Sequence, residues 1–523
     1  MLSLVVDGRA VEVPDDGATL LTVLRERLGM MSVKDGCSPQ GQCGCCTVLV
    51  DGQPRVACVT PARRVRGRSI TTLDGLPAGE AAAWGEAFCS TGASQCGFCT
   101  PGIVMRLAGL ASRTPDAAEP AVEQALLAHL CRCTGWRTIL DAWSAHAAGA
   151  PTGARDLAAA SRRATIEGRS PQRVGPDVAL GHGGFADDTA PDGALVAVLD
   201  TRGEWVVAET LAEAREAAGK VQGRRTTAEL RHPIDLPPGD WAATLRTTWV
   251  EPGYLELDAA WCAPGGTPAT PLANGGAFGG KLSSLVSEAA RTLADAHGRP
   301  VRALLSREDA VRLGPKRPPV GGGTRPDGTG VLRVAATPGI AAAVAAVAPG
   351  LVVEEVPVSG PPTSTDLRAA GWAEAAVLLA AVSPAAPDSA TVRSPEGAEA
   401  HARVHFGDDP RIEVRVSGCG PVLDEIVLRS YCVGAAHMGL GWVCSEGLAV
   451  DESGDVHDLT IRSFGILRAV DMPPVDIEID AESGDGAPVN ASDAVFAAVA
   501  AATWRAQGCP TDWPTGLLPR SRR

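Results

Sequence analysis

No apolar stretch of this 523-residue chain is long enough to cross a membrane. The two longest candidates, Val334–Val347 and Gly371–Val382, are broken by Pro338 and Glu374 and flanked by Pro349 and Pro384, whereas a spanning helix needs roughly 20 mostly apolar residues. The amino end also lacks the basic start and apolar run of a secretory signal; it reads MLSLVVDGRAVEV, with Asp7 inside an alternating stretch. An excess of positive charge is missing too. Lys and Arg number 47 against 61 Asp and Glu, a formal net charge of −14, which argues against nucleic acid or an anionic membrane as a partner. The short basic runs, Arg63, Arg64, Arg66 and Arg68 and then Arg520, Arg522 and Arg523, read as solvated loop and tail. No G-x-G-x-x-G fingerprint follows a strand, so no flavin or nicotinamide domain is expected and an electron acceptor must be separate. Internal repeats and low-complexity tracts are absent as well.

Cysteine is present and unevenly placed: ten of the fifteen lie in the first 133 residues. A secreted disulfide scaffold would be short and cysteine-dense throughout, so metal ligation in a reducing cytoplasm is the expectation. Eight of these residues form two sets, Cys37-x5-Cys43-x2-Cys46-x11-Cys58 and Cys96-x2-Cys99-x31-Cys131-x-Cys133. Each set supplies four thiolates, the ligand count of a [2Fe–2S] cluster. Gly36, Gly41 and Gly44 around the first set let the loop curl its amides toward a negatively charged core. The usual plant-type spacing has four residues between the first two ligands; here there are five. Cys45 adjoins two of the ligands and is assigned as a spare thiol, because Cys43 and Cys46 keep the two-residue gap. Cys96 and Cys99 precede an expected helix, whose amino end lowers a thiol's pKa. Zinc is the competing metal, since four thiolates also suit it.

The length implies three or more domains. Leu2–Val6 and Arg9–Val13 alternate around Asp7-Gly8 as a hairpin, Thr19–Leu28 has helical leucine spacing, and Cys46–Val50 and Arg55–Val59 are strand-like around Asp51-Gly52. This predicts an α+β multidomain chain: a β-grasp ferredoxin domain over 1–76, then a four-helix [2Fe–2S] bundle over 77–147 with helices near 80–90, 101–113, 118–130 and 136–147. Thr100 and Thr134 are the expected helix caps. An Ala/Gly/Arg/Ser-rich linker is expected over 148–175, followed by a mixed α/β region over 176–523.

The segments GCSPQGQCGCCTV, QCGFCTPG and CRCTG resemble the iron–sulfur portion of the xanthine dehydrogenase and aldehyde oxidase family of molybdenum hydroxylases, and the resemblance covers residues 1–147. It implies one [2Fe–2S] cluster in each small domain, with Gln95 and Cys133 closest to a molybdopterin. Further on, Gly275-Gly276-Ala277-Phe278-Gly279-Gly280-Lys281 resembles the first molybdopterin-contacting motif of the family's large subunit. On its own it reads as an ordinary glycine-rich turn. SPQRVGPDVALGHGGFADD (170–188), SREDAVRLGPKRPP (306–319) and the stretch 437–479 are similar to other parts of that subunit, so 176–523 is expected to be a shortened molybdopterin-binding-like region. Two departures bear on mechanism. The family's catalytic glutamate is replaced by Ala487 in Gly484-Asp485-Gly486-Ala487, leaving Asp485 as the nearby carboxylate, more simply a turn residue. No second Gly-Gln-Gly pterin segment lies between Lys281 and His437. His437, Glu446, Arg462 and Arg468 read as structural polar residues.

The resemblance implies oxidation of an aldehyde or N-heterocycle, with electrons passing from molybdopterin to the Cys96/Cys99/Cys131/Cys133 cluster, then to the Cys37/Cys43/Cys46/Cys58 cluster and on to a separate FAD-binding subunit or other acceptor. The missing glutamate supports an alternative: a non-catalytic electron-transfer or assembly subunit served by a further molybdenum subunit.

Overall fold

The computed structural model describes residues 1–149, 155–220, 228–269, 276–480 and 486–519. Asp7 and Gly8 both adopt positive φ (49° and 76°), as do Asp51 and Gly52 (48° and 71°), the geometry of tight two-residue hairpins. The first turn pairs Leu2–Val6 with Arg9–Val13 and the second pairs Thr47–Val50 with Gln53–Val56. Ser69–Thr71 joins the hairpins, parallel to the first and antiparallel to Thr47–Val50, into one five-stranded sheet. Thr19 caps the crossing helix through its hydroxyl, which accepts from the Thr22 amide, and Leu20, Leu21, Val23 and Leu24 are buried beneath it. One expectation changes: the strand ends at Val56, and Cys58 lies on a 3-10 turn, Ala57–Val59. The Ala57 amide donates to Cys46 O at 3.1 Å, bending the chain back toward the first thiol set.

Helices follow at Ala78–Thr91, Thr100–Ala111, Glu119–Ala125 and Arg137–Ala148. Their caps differ from expectation. Thr100 is already helical, with Cys99 at the cap position, and Trp136 precedes the last helix, because the Thr134 hydroxyl is engaged elsewhere, 3.1 Å from Cys131 Sγ.

The expected linker, 148–175, is not a plain tether. Leu157–Gly168 is a helix capped by Asp156, whose carboxylate accepts from the Ala158 and Ala159 amides. Ala160 and Ala164 are buried, and the fully buried Arg163–Glu167 pair leaves Glu167 to accept from the Ala491 and Ser492 amides. Alternating apolar residues were too sparse here to predict packing; alanines and one internal ion pair accomplish it.

Beyond this helix the described residues form three four-stranded sheets and the long helices Glu425–Cys444 and Ser492–Ala506. Ala400, Ala402 and Val404 alternate with outward residues opposite Val416, Val414 and Ile412, the period-2 pattern of a half-buried sheet. The two helices are apolar nearly all round because they are enclosed on all sides. Among the described residues, no helix is long and apolar enough to cross a membrane.

The second half is built tightly onto the first. A Cβ on Gly434 would stand 1.7 Å from the Cys133 carbonyl oxygen, so only glycine lets the Glu425–Cys444 helix approach the second thiol loop. Arg132, between Cys131 and Cys133, forms a buried two-pronged ion pair with Glu446 at 2.5 and 2.8 Å.

Candidate metal centres

Cys37, Cys43 and Cys46 of the first thiol set occupy the loop between the crossing helix and the central strands, and Cys58 comes from the 3-10 turn Ala57–Val59. Cys37, Cys43, Cys46 and Cys58 are all buried, and none of the four is in a disulfide. The Gln40 amide donates to Cys37 Sγ at 3.1 Å and the Cys58 amide to Cys46 Sγ at 3.4 Å. Hydrogen bonds with Cys43 and Cys58 draw the Cys37 thiol well below its ordinary pKa, against burial. Contact with Cys37, then Cys45 and burial, hold Cys43 well above it. Gly44, at φ 76°, is pinned by its surroundings: a Cβ there would lie 2.5 Å from the His129 ring.

The second set lies at the amino ends of two helices. Cys133 and Cys96 place their sulfurs 3.7 Å apart. Cys99 and Cys131 form the other pair, and its hydrogen bond pulls Cys131 down to about 6 while Cys99 is pushed up. Two pairs of thiols are what a two-iron core requires, two thiolates for each iron. The residues of both sets fit such a core. Among the described residues, no group of three His, Cys, Asp or Glu side chains forms a single-ion site.

Cys45 is buried beside the first set. A Cβ on Gly36 would lie 3.0 Å from Cys45 Sγ and 3.2 Å from both Cys43 Sγ and Phe98 Cε1. Phe98 comes from between Cys96 and Cys99, so this is where the two loops approach each other.

Residues 4–67 match the family described as "2Fe-2S iron-sulfur cluster binding domain", and residues 72–144 match "[2Fe-2S] binding domain". The nicotinate dehydrogenase small FeS subunit of Eubacterium barkeri is 38% identical over 136 residues, which are 26% of this chain and 85% of that protein. The chain belongs to the molybdenum hydroxylase family. The nicotine 6-hydroxylase small subunit of Paenarthrobacter nicotinovorans is 41% identical over 138 residues, covering 26% of this chain and 83% of its own length. The fold of the whole chain is similar to the aldehyde oxidoreductase from Desulfovibrio desulfuricans, with TM-score 0.70, 14% identity, and 96% and 97% of the two chains covered. Two [2Fe–2S]-binding domains are therefore present.

The motif that resembles the family's pterin loop is only partly visible, since Gly275 lies outside the described residues, as does Asp485. Gly276 packs on the second set: a Cβ there would be 3.0 Å from Cys133 Sγ. Gln95 Nε2 donates to Cys133 O and Ser430 Oγ, both at 3.0 Å, while its Oε1 is buried without a partner. Ala277, Phe278 and Gly280 are buried and Gly279 is partly so. The Arg368 guanidinium stacks 3.7 Å over the Phe278 ring, and Arg368 pairs with Asp493 at 3.1 Å. The space beside Phe278, lined also by Arg132, Arg317, Trp442 and Glu446, is about 40 Å³. Residues 270–275, which lead directly into this loop, lie outside the described residues. Ala487 is exposed and does not line this space.

Of the other polar residues singled out, Glu446 pairs with Arg132 and Arg468 with Asp471. Sequence reasoning missed Arg132, Arg317 and Arg368, whose carboxylate partners lie 57 to 314 residues away; only the position of Arg132 inside CRC could have signalled its importance.

His437 is buried, its Nε2 3.0 Å from Leu467 O. Burial disfavours the imidazolium and holds the pKa down to about 4, the carbonyl partly offsetting this. An unfolded histidine titrates near ~6.5, so between the two values the unfolded chain binds a proton that the native chain refuses. Stability then falls as pH falls through that window, by about 2 kcal/mol from this group at pH 5. Urea midpoints at pH 7 and 5 should show that loss, and His437→Gln should reduce it; an identical pH slope in the variant would refute the assignment.

Proposed function

We propose that this chain relays electrons one at a time between two [2Fe–2S] sites within a molybdenum hydroxylase assembly that oxidises a small molecule, an N-heterocycle or an aldehyde. The observation that carries this reading is the arrangement of the second thiol set as two sulfur pairs, one of them at 3.7 Å, beside a complete four-thiol first set. A loaded [2Fe–2S] core supplies single-electron exchange. The residues do the rest. Cys37, Cys43, Cys46 and Cys58 would hold the first core, and Cys96, Cys99, Cys131 and Cys133 the second. Backbone amides at Gln40 and Cys58 donate to thiolate sulfurs, and burial of nearly every ligand excludes water, which lowers the reorganisation that electron transfer demands. Gly276 and Gln95 close over the second set.

Relatives named for nicotinate, nicotine, isoquinoline and xanthine oxidation favour an N-heterocycle as the assembly's substrate; those named for aldehydes keep that class open. Ala487 in the place of the family's glutamate favours a molybdenum site on a further subunit, with electrons leaving the first cluster for a separate FAD-binding subunit or another acceptor. Ligand cysteines that stand outside any disulfide suit the cytoplasm.

Metal and sulfide analysis tests the reading. Anaerobically purified protein should hold about four iron and four acid-labile sulfide per chain, two per cluster, with molybdenum far below one. Zinc alone, or dithionite-reduced protein without a rhombic ferredoxin-type paramagnetic signal, would refute the relay. Stoichiometric molybdenum on the isolated chain would refute the separate-subunit reading and put the pterin in this chain.

A further inference from the structure

The first thiol loop is gripped from the carboxy-terminal half at three points. Arg307 Nη2 donates to Gly36 O at 2.7 Å, Gln40 Nε2 donates to Leu459 O at 3.0 Å, and Arg462 reaches the residue directly before Cys43. Arg462 Nε donates to Gln42 O at 2.8 Å, its own amide donates to Gln42 Oε1 at 3.3 Å, and Nη2 donates to Leu127 O at 2.9 Å. Every acceptor of this side chain is a neutral carbonyl. Among the described residues no carboxylate lies within ion-pair distance of it, whereas its neighbour Arg468 is neutralised by Asp471 at 2.9 Å. Arg462 therefore brings a half-buried positive charge with no carboxylate partner to the edge of the first set; burial, and then Arg468, draw its pKa down, while Cys43 and Cys37 act in the opposite sense.

A [2Fe–2S] core with four thiolates is an anion that gains one further negative charge on reduction, and nearby charge and hydrogen bonding set how readily it does so. A fixed cation in a partly dry setting stabilises the reduced form more than the oxidised form.

We propose that Arg462 is a positioning residue that raises the reduction potential of the first cluster, so that the carboxy-terminal half sets the direction of electron flow from the second cluster to the first. The step is a one-electron transfer: the second core is oxidised, the first is reduced, and no bond is made or broken. The proposal rests on the reading that both thiol sets hold [2Fe–2S] cores. It also gives the second half a role that needs no pterin of its own.

The test is a redox titration of the full chain followed by electron paramagnetic resonance, which separates the two clusters. Arg462→Gln should shift the first cluster to a more negative potential by about 59 mV, a tenfold change in a one-electron equilibrium, and leave the second unmoved. Arg462→Lys keeps the charge while losing the planar fork and should stay near the parent. An unshifted first cluster in Arg462→Gln overturns the proposal. Equal shifts in Gln and Lys variants, or loss of the cluster in both, also overturn it and show a purely structural clamp. Absence of either cluster from the parent chain would instead defeat the relay itself, so the two failures are distinguishable.

Discussion

Replacing Cys99 by serine should erase one of the two iron–sulfur signals and leave the other intact. Cys99 is buried and shares a hydrogen bond with Cys131, so in the loaded protein these two sulfurs would hold one iron. A serine hydroxyl at that point is a poor match for an iron site built on thiolates, and burial penalises the alkoxide that would have to replace the thiolate. Iron should fall from about four per chain to about two, with one rhombic signal lost. Cys43→Ser should give the complementary spectrum, because its partners Cys37 and Cys45 belong to the other loop. Retention of both signals in either variant would show the ligand assignment to be wrong. Cys45→Ala provides the internal comparison: a spare thiol can be removed with both clusters kept.

Arg132→Met should cost about 3–5 kcal/mol, since breaking a buried ion pair from one side strands the other charge. Glu446 is 2% exposed and both its oxygens accept from Arg132, which also donates through Nε to Pro252 O at 2.8 Å. Methionine fills similar volume, so the loss reports the stranded carboxylate more than a cavity. Because Arg132 stands between Cys131 and Cys133, the damage should reach the second cluster and broaden its signal while sparing the first. The double variant Arg132→Met with Glu446→Leu removes both charges and should recover most of the lost stability, the behaviour of buried pairs replaced by apolar groups. Denaturant midpoints for the two single variants and the double variant give the coupling directly. An Arg132→Met variant within about 1 kcal/mol of the parent, below the range for a stranded buried charge, would mean that Glu446 finds another partner.

Much of the amino-terminal third was readable from local pattern. Asp-Gly between alternating runs specifies a tight hairpin because both residues must take positive φ, and both hairpins form where expected. Helix caps were less legible: Thr100 and Thr134 have the right chemistry, but their hydroxyls turn to Ser94 and Cys131, a choice made by the cysteine loop. The segment 148–175 looked like a tether because its alanines carry no strong periodic signal, yet its helix is held by the buried Arg163–Glu167 pair, by packing against Glu425–Cys444 and by the amides of Ala491 and Ser492.

The sequence by itself determined the number and grouping of the thiols, since ligand sets of this kind are drawn from short loops in which spacing governs reach. Only the tertiary structure decided what surrounds them. Arg368 fills the space at Phe278, Gly434 approaches Cys133, and Arg462 delivers its charge to the first loop from 420 positions away. Such contacts leave no periodic trace along the chain, because they arise from how separately folded elements pack and which buried charges find partners there.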